Sequence, residues 1–203
     1  MELYLVDKNG NRLGSAKGSR HTGGLLVAPA GSAFEEAVER GNVFVGANQT
    51  TVVTQAGLSA TTPALTLANR LASGKAARLW YVAVGSLVAP TAAAEIWPCL
   101  GDGPTQAAVT ETTLATVRNM KTGDPGQAPG VICLSVATLP VAPVAIGQLG
   151  MQLTGAITVA SALSPWERWY NGALRLSPGF NFTVQTSVAS TIFCEYIYEV
   201  VDL

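Results

Sequence analysis

The sequence predicts an all-β protein: an antiparallel two-sheet sandwich with an extended N-terminal arm and one short helix. Three observations predict it. The last thirty residues read as strand, Pro-Gly turn, strand, short turn, strand, with Pro178-Gly179 as the first turn. The apolar runs upstream are short, rich in β-branched residues and bounded by Gly, Asn, Gln and Pro. Strands do not alternate with helical patterns as βαβ units require.

The elements follow in chain order. Residues 3–6 (Leu-Tyr-Leu-Val) are a short strand candidate, and residues 7–11 a turn. Residues 14–24 are basic and rich in Gly and Ser, a composition that buries little and is expected to be extended or mobile in isolation. Ser32 is placed as the N-cap of a short helix over 33–40, with Glu35 completing a capping box and Gly41 as the residue that ends it. Strand candidates then occupy 43–45, 50–54, 63–69, 77–85, 95–100, 130–136 and 154–159, before the three terminal strands. Pro98 assigns 95–100 to a sheet edge, because proline has no N–H to give a ladder. Long Ala/Thr/Pro/Gly loops lie at 101–130, which holds a short helix or strand around 110–120, and at 140–150. Antiparallel strands joined by long crossovers read best as a two-sheet jelly roll. An immunoglobulin-like sandwich is the alternative, without the Cys…Trp…Cys spacing that would support it.

Hydrophobic residues make up 48% of the 203 and charged residues 12%. That charged fraction is about half of an ordinary soluble domain's, so much of the surface is expected to be covered by other subunits. A net charge of −1 offers no electrostatic footprint for nucleic acid. No apolar run approaches the ~20 residues needed to span a bilayer, and no secretory leader is evident, so no membrane association is expected and synthesis in a cytoplasm is. Charge is concentrated in residues 1–42, read as an arm with the helix; residues 43–203 are read as the β-domain.

Catalytic candidates are few, and no catalytic, cofactor or metal residues are assigned. His21 is the one histidine and lies in the Gly/Ser stretch, with nothing local to hold it as a Ser-His-Asp base. Glu35 and Glu39 share a helix face, where favourable interaction with the helix dipole explains them better than a metal site. Residues 14–19 lack phosphate-loop spacing. Cys99, Cys133 and Cys194 are far apart in apolar surroundings and read as buried thiols. Trp166, Trp169 and Tyr170 form either a sugar-stacking platform or, in the favoured reading, a buried plug or intersubunit contact.

Three stretches carry a family resemblance: the charged arm, residues 43–52 (Val-Phe-Val-Gly-Ala-Asn-Gln-Thr-Thr-Val) followed by 65–69, and the closing strands from Leu174-Arg175-Leu176-Ser177-Pro178-Gly179 onward. Together they resemble bacteriophage capsid decoration (cement) proteins of the jelly-roll type, over about four-fifths of the chain as a pattern. The resemblance implies jelly-roll strand order, a homotrimer, the phage major capsid protein as partner, and a place on the virion surface after synthesis in the bacterial host. Lys8, Arg12, Lys17, Arg20, His21, Glu35 and Glu39 are then the expected capsid contacts. A receptor- or carbohydrate-binding domain of a fibre, tail or baseplate is the alternative; an enzyme or a major capsid protein fits the sequence less well than either.

Overall fold

A computed structural model describes residues 3–6, 12–18, 25–26, 33–49, 52–61, 63–86, 92–101, 108–121, 126–152 and 165–203. The chain divides into two compact units, Met1–Glu39 and Arg40–Leu203.

In the first unit, β1 (Leu3–Val6) pairs antiparallel with β2 (Arg12–Gly18), Leu3 opposite Ala16, and β3 (Leu25–Leu26) pairs with the end of β2. Residues 14–18 of the Gly/Ser stretch are thus extended and paired in a ladder; 19–24 lie outside the described residues. Gly and Ser have little to bury, but their backbone groups still need partners, and an adjacent strand supplies them. The helix α1 (Ala33–Glu39) stops before Gly41, whose φ of 73° is the left-handed conformation expected of a terminating glycine. The proposed cap Ser32 lies outside the described residues.

The second unit contains β4 (Val43–Ala47), β5 (Val52–Val53), β6 (Thr66–Asn69), β7 (Lys75–Ser86), β8 (Ala94–Gly101), β9 (Thr110–Leu114) and β10 (Thr116–Asn119). It continues with β11 (Val131–Thr138), β12 (Val144–Ala145), β13 (Gly150–Gln152), β14 (Trp166–Leu176), β15 (Asn181–Thr186) and β16 (Thr191–Asp202). They form two antiparallel sheets packed as a sandwich. One runs β10-β4-β16-β7-β14, with β5 added to β16; the other runs β12-β8-β15-β6-β11-β9, with β13 added to β8. The loop at 110–120 is thus two strands. The strand expected at 154–159 lies outside the described residues.

The core fills the space between the sheets. Leu79, Val82, Val84, Ile192, Cys194, Tyr196 and Tyr198 come from one sheet; Leu67, Ile96, Val131, Cys133, Phe182 and Val184 come from the other. Leu79 and Val82 are three apart yet both point inward, because the pairing slips between Ile197 and Tyr198 and leaves an extra residue in β7. At the same level β14 makes a larger excursion. Asn171 and Gly172 both take positive φ, 51° and 75°, as the centre of a type I′ turn does, and the ladder resumes at Leu174.

Pro98 does not mark an edge. β8 lies between β15 and the pair β12, β13. The Pro98 carbonyl accepts from Ile146 N–H at 2.9 Å, in the gap between the two short strands. N–H and C=O of a strand residue point the same way, so the missing donor faces that gap and the ladder to β15 is unbroken. Pro178-Gly179 turns as expected: Phe180 N–H bonds Ser177 O at 3.1 Å, with Gly179 at φ 88°.

Candidate interaction surface

The two flanks of the sandwich differ in chemistry. On the first, a single stretch closes the gap between sheets: β9 edges one sheet, β10 the other, and the buried Ala115 between them donates its N–H to Cys133 O at 2.9 Å. This flank is polar and charged. Glu111 takes a forked pair of bonds from Arg70, Nε to Oε1 at 2.7 Å and Nη2 to Oε2 at 2.6 Å, and Arg118 and Lys121 are exposed beside it. Charged residues on edge strands discourage pairing with other chains.

The Arg70 guanidinium holds the Glu111 carboxyl below its ordinary value of 4.5. A carboxyl depressed on folding adds stability that is present above the unfolded value and lost as pH falls through the folded one. Glu111→Gln is therefore expected to cost about 0.2–1 kcal/mol at neutral pH, as suits an exposed pair. Urea titrations should show that difference vanish in acid; a difference independent of pH would contradict the pairing.

The second flank is where the edges formed by β12 and β13 meet the edge strand β14. Arg168 Nη2 donates to Gln148 O at 2.6 Å, and the guanidinium lies 5.9 Å from the centre of the Tyr170 ring. Gly150 permits the closest approach: a Cβ there would fall 2.0 Å from Trp166. Leu100, Leu149, Trp166, Tyr170 and Leu174 are half-buried against the core along this seam. Val144 lies opposite Leu100, and Ile146 is next in alternation, so both face the opening between the sheets. They are 63% and 38% exposed. Between Asp124 and Glu167 the sequence has no charged residue. Within that run, the stretch holding β12 and β13 is the sequence signal that marks this flank; β11, in the same run, lies beside β9 at the other.

Strand alternation splits the predicted aromatic trio. Trp166 and Tyr170 turn inward and pack on the core, while Trp169 points out and is 54% exposed. A platform of all three is therefore not formed. Trp169 instead meets Tyr81, 4.6 Å between ring centres, and Tyr81 Oη donates to Glu167 Oε2 at 2.7 Å. Burial and the adjacent carboxylate push the Tyr81 phenol up to about 12.

Of the expected arm contacts, Lys8, Arg20 and His21 lie outside the described residues. Arg12 and Lys17 lie on β2, opposite Val6 and Leu26. Glu35 and Glu39 are exposed on α1. The three cysteines are buried; burial pushes Cys99 up to about 12 and raises Cys133 and Cys194 as well, so these thiols stay protonated. Among the described residues, no three His, Cys, Asp or Glu side chains converge as metal ligands would. A cavity of about 230 Å³ has Phe44 and Val200 in its wall and the Lys75–Asp202 pair, 2.5 Å apart, beside them. No family model, curated protein or solved structure matches this chain.

Proposed function

We propose that this protein is a structural component of a bacteriophage virion, a homotrimeric decoration (cement) protein that stabilises the head by binding across major capsid subunits. The observation that carries the reading is the strand order. Counting β12 and β13 as one, β4, β6, β7, β8, β12–β13, β14, β15 and β16 lie in sheets β4-β16-β7-β14 and β6-β15-β8-β12/β13. That order agrees with an eight-stranded jelly roll, an architecture used by viral capsid and lectin domains. Strands β9, β10 and β11 are additions at one flank. The low charge of the chain and the uncharged β12–β13 edge agree with a protein that works by burying surface against other subunits.

A protein that binds only the assembled shell shifts the assembly equilibrium towards it. The basic residues of the arm suit carboxylates on such a shell. The full chain is expected to co-sediment with capsids assembled without it, and a chain lacking residues 2–41 to bind at least tenfold more weakly. Unchanged binding by the truncated chain would remove the arm from this role. Absent co-sedimentation, together with glycan binding lost in Trp169→Ala, would move the assignment to the carbohydrate-binding alternative, which rests on the exposed Trp169–Tyr81 pair.

A further inference from the structure

We infer that the flank built from β12, β13 and β14 is the surface through which copies of this chain associate. The inference shares only self-association with the proposed function, and stands without any capsid. Two edge strands end there side by side, and among the described strands neither β12–β13 nor β14 has a neighbour on its outer side. An edge of this kind normally carries charges, proline or a cover, as the β9–β10 flank carries Glu111, Arg118 and Lys121. The β12–β13 edge has none of the charges. It belongs to a 42-residue run, 125–166, without Asp, Glu, Lys, Arg or His, and exposes Val144 and Ile146.

The chemistry of this flank selects its occupant. A partner with a charged surface would have to bury ions that find no counter-ion here, at a cost the contact could not recover. Of the charges on β14, Arg168 already has the Gln148 carbonyl and the Tyr170 ring, Glu167 accepts from Tyr81, and Arg175, between the inward Leu174 and Leu176, faces away from the seam. A second copy brings the same uncharged β12–β13 edge. Closed symmetry adds a stricter condition. Near a rotation axis each side chain meets its own counterpart, so any charge there meets a like charge. The β12–β13 seam can lie near such an axis without that penalty; the β9–β10 flank, with Glu111, Arg118 and Lys121, is poorly suited to it.

The test is the mass in solution of the full chain by light scattering across a concentration series, for the wild type and for Val144→Glu, Ile146→Lys and Leu114→Glu. Val144, Ile146 and Leu114 are all exposed, and Leu114, at 56%, is the control from the charged flank. The wild type should associate, Leu114→Glu should match it, and Val144→Glu and Ile146→Lys should dissociate at concentrations roughly a hundredfold higher. Circular dichroism confirms that each variant is folded. As a second readout independent of any loss of folding, Val144→Cys should form an intermolecular disulfide on mild oxidation, since the native thiols are buried. A wild type that stays monomeric, or seam variants that associate as tightly as the control, would overturn the inference. Loss of association in the seam variants with no capsid binding by the wild type would support it while removing the cement reading.

Discussion

Replacing Tyr196 with alanine is expected to destabilise the β-sandwich by about 3–5 kcal/mol, the range for removing a buried aromatic ring. Tyr196 is fully buried on β16 and meets Phe182 edge-to-face at 5.2 Å across the core. Its hydroxyl donates to Leu65 O at 2.7 Å, just before β6 in the opposite sheet, so one side chain supplies both packing and a polar tie between layers. The two contributions separate by substitution. Leu65 O also accepts from Thr183 Oγ1 at 2.9 Å, so Tyr196→Phe leaves that carbonyl partnered and should cost only about 0.5–1.5 kcal/mol. Urea denaturation of the three proteins checks both figures. Equal losses in the alanine and phenylalanine variants would mean that the hydroxyl, and not the ring, holds the layers together.

Gly101→Ala is expected to cost about 1–3 kcal/mol by overpacking, and Asn181→Ala to recover most of it. The two residues face each other across the β8–β15 ladder. A Cβ on Gly101 would fall 2.2 Å from the amide atoms of Asn181. Asn181 has 0% exposure, so its side chain has no solvent to swing into. Among the described residues, neither its amide nitrogen nor its amide oxygen has a partner. Removing an unsatisfied buried amide offsets the loss of its volume, so Asn181→Ala alone should lie within about 1 kcal/mol of wild type. In the double variant the new methyl occupies space the amide vacates. Strict additivity of the two single effects would show that the two side chains do not compete for one space.

Much of the strand content was legible because its signals are local. β7, β11 and β16 are runs rich in apolar residues between turn residues, and the Pro-Gly turn before β15 states its own geometry. The helix α1 was legible for the same reason, since Gly41 ends it whatever else surrounds it. Local signals failed where a partner strand decided the outcome. Pro98 reads as an edge residue, and only the interruption between β12 and β13 lets it sit inside a sheet. The Gly/Ser stretch reads as extended, and only pairing with β1 makes 12–18 a ladder strand.

Burial was the least legible property. β15 alternates Asn, Phe, Thr, Val, Gln, Thr, which reads as one wet and one dry face, yet all six residues are buried. Thr183 is satisfied by the Leu65 carbonyl. Gln185 exchanges two bonds with the Ser59 backbone, accepting from its N–H at 3.3 Å and donating to its carbonyl at 3.2 Å. Those partners lie more than a hundred residues away in sequence, so no window of the chain contains both ends of the interaction. The aromatic trio is the converse case. Trp166, Trp169 and Tyr170 are close in sequence, but the two-residue period of a strand sends Trp169 to the opposite face from the other two.

By itself, the sequence determined the all-β character, the short helix and its stop, the turns before β15 and β16, and a surface poor in charge. These follow from backbone preferences and composition, which act within a few residues. Tertiary structure alone decided which strands are edges, which polar residues are buried, and that the uncharged strands β12 and β13 border one flank of the sandwich while Glu111, Arg118 and Lys121 stand at the other. Those properties depend on which distant segments lie side by side, and that is settled only when the two sheets close on a common core.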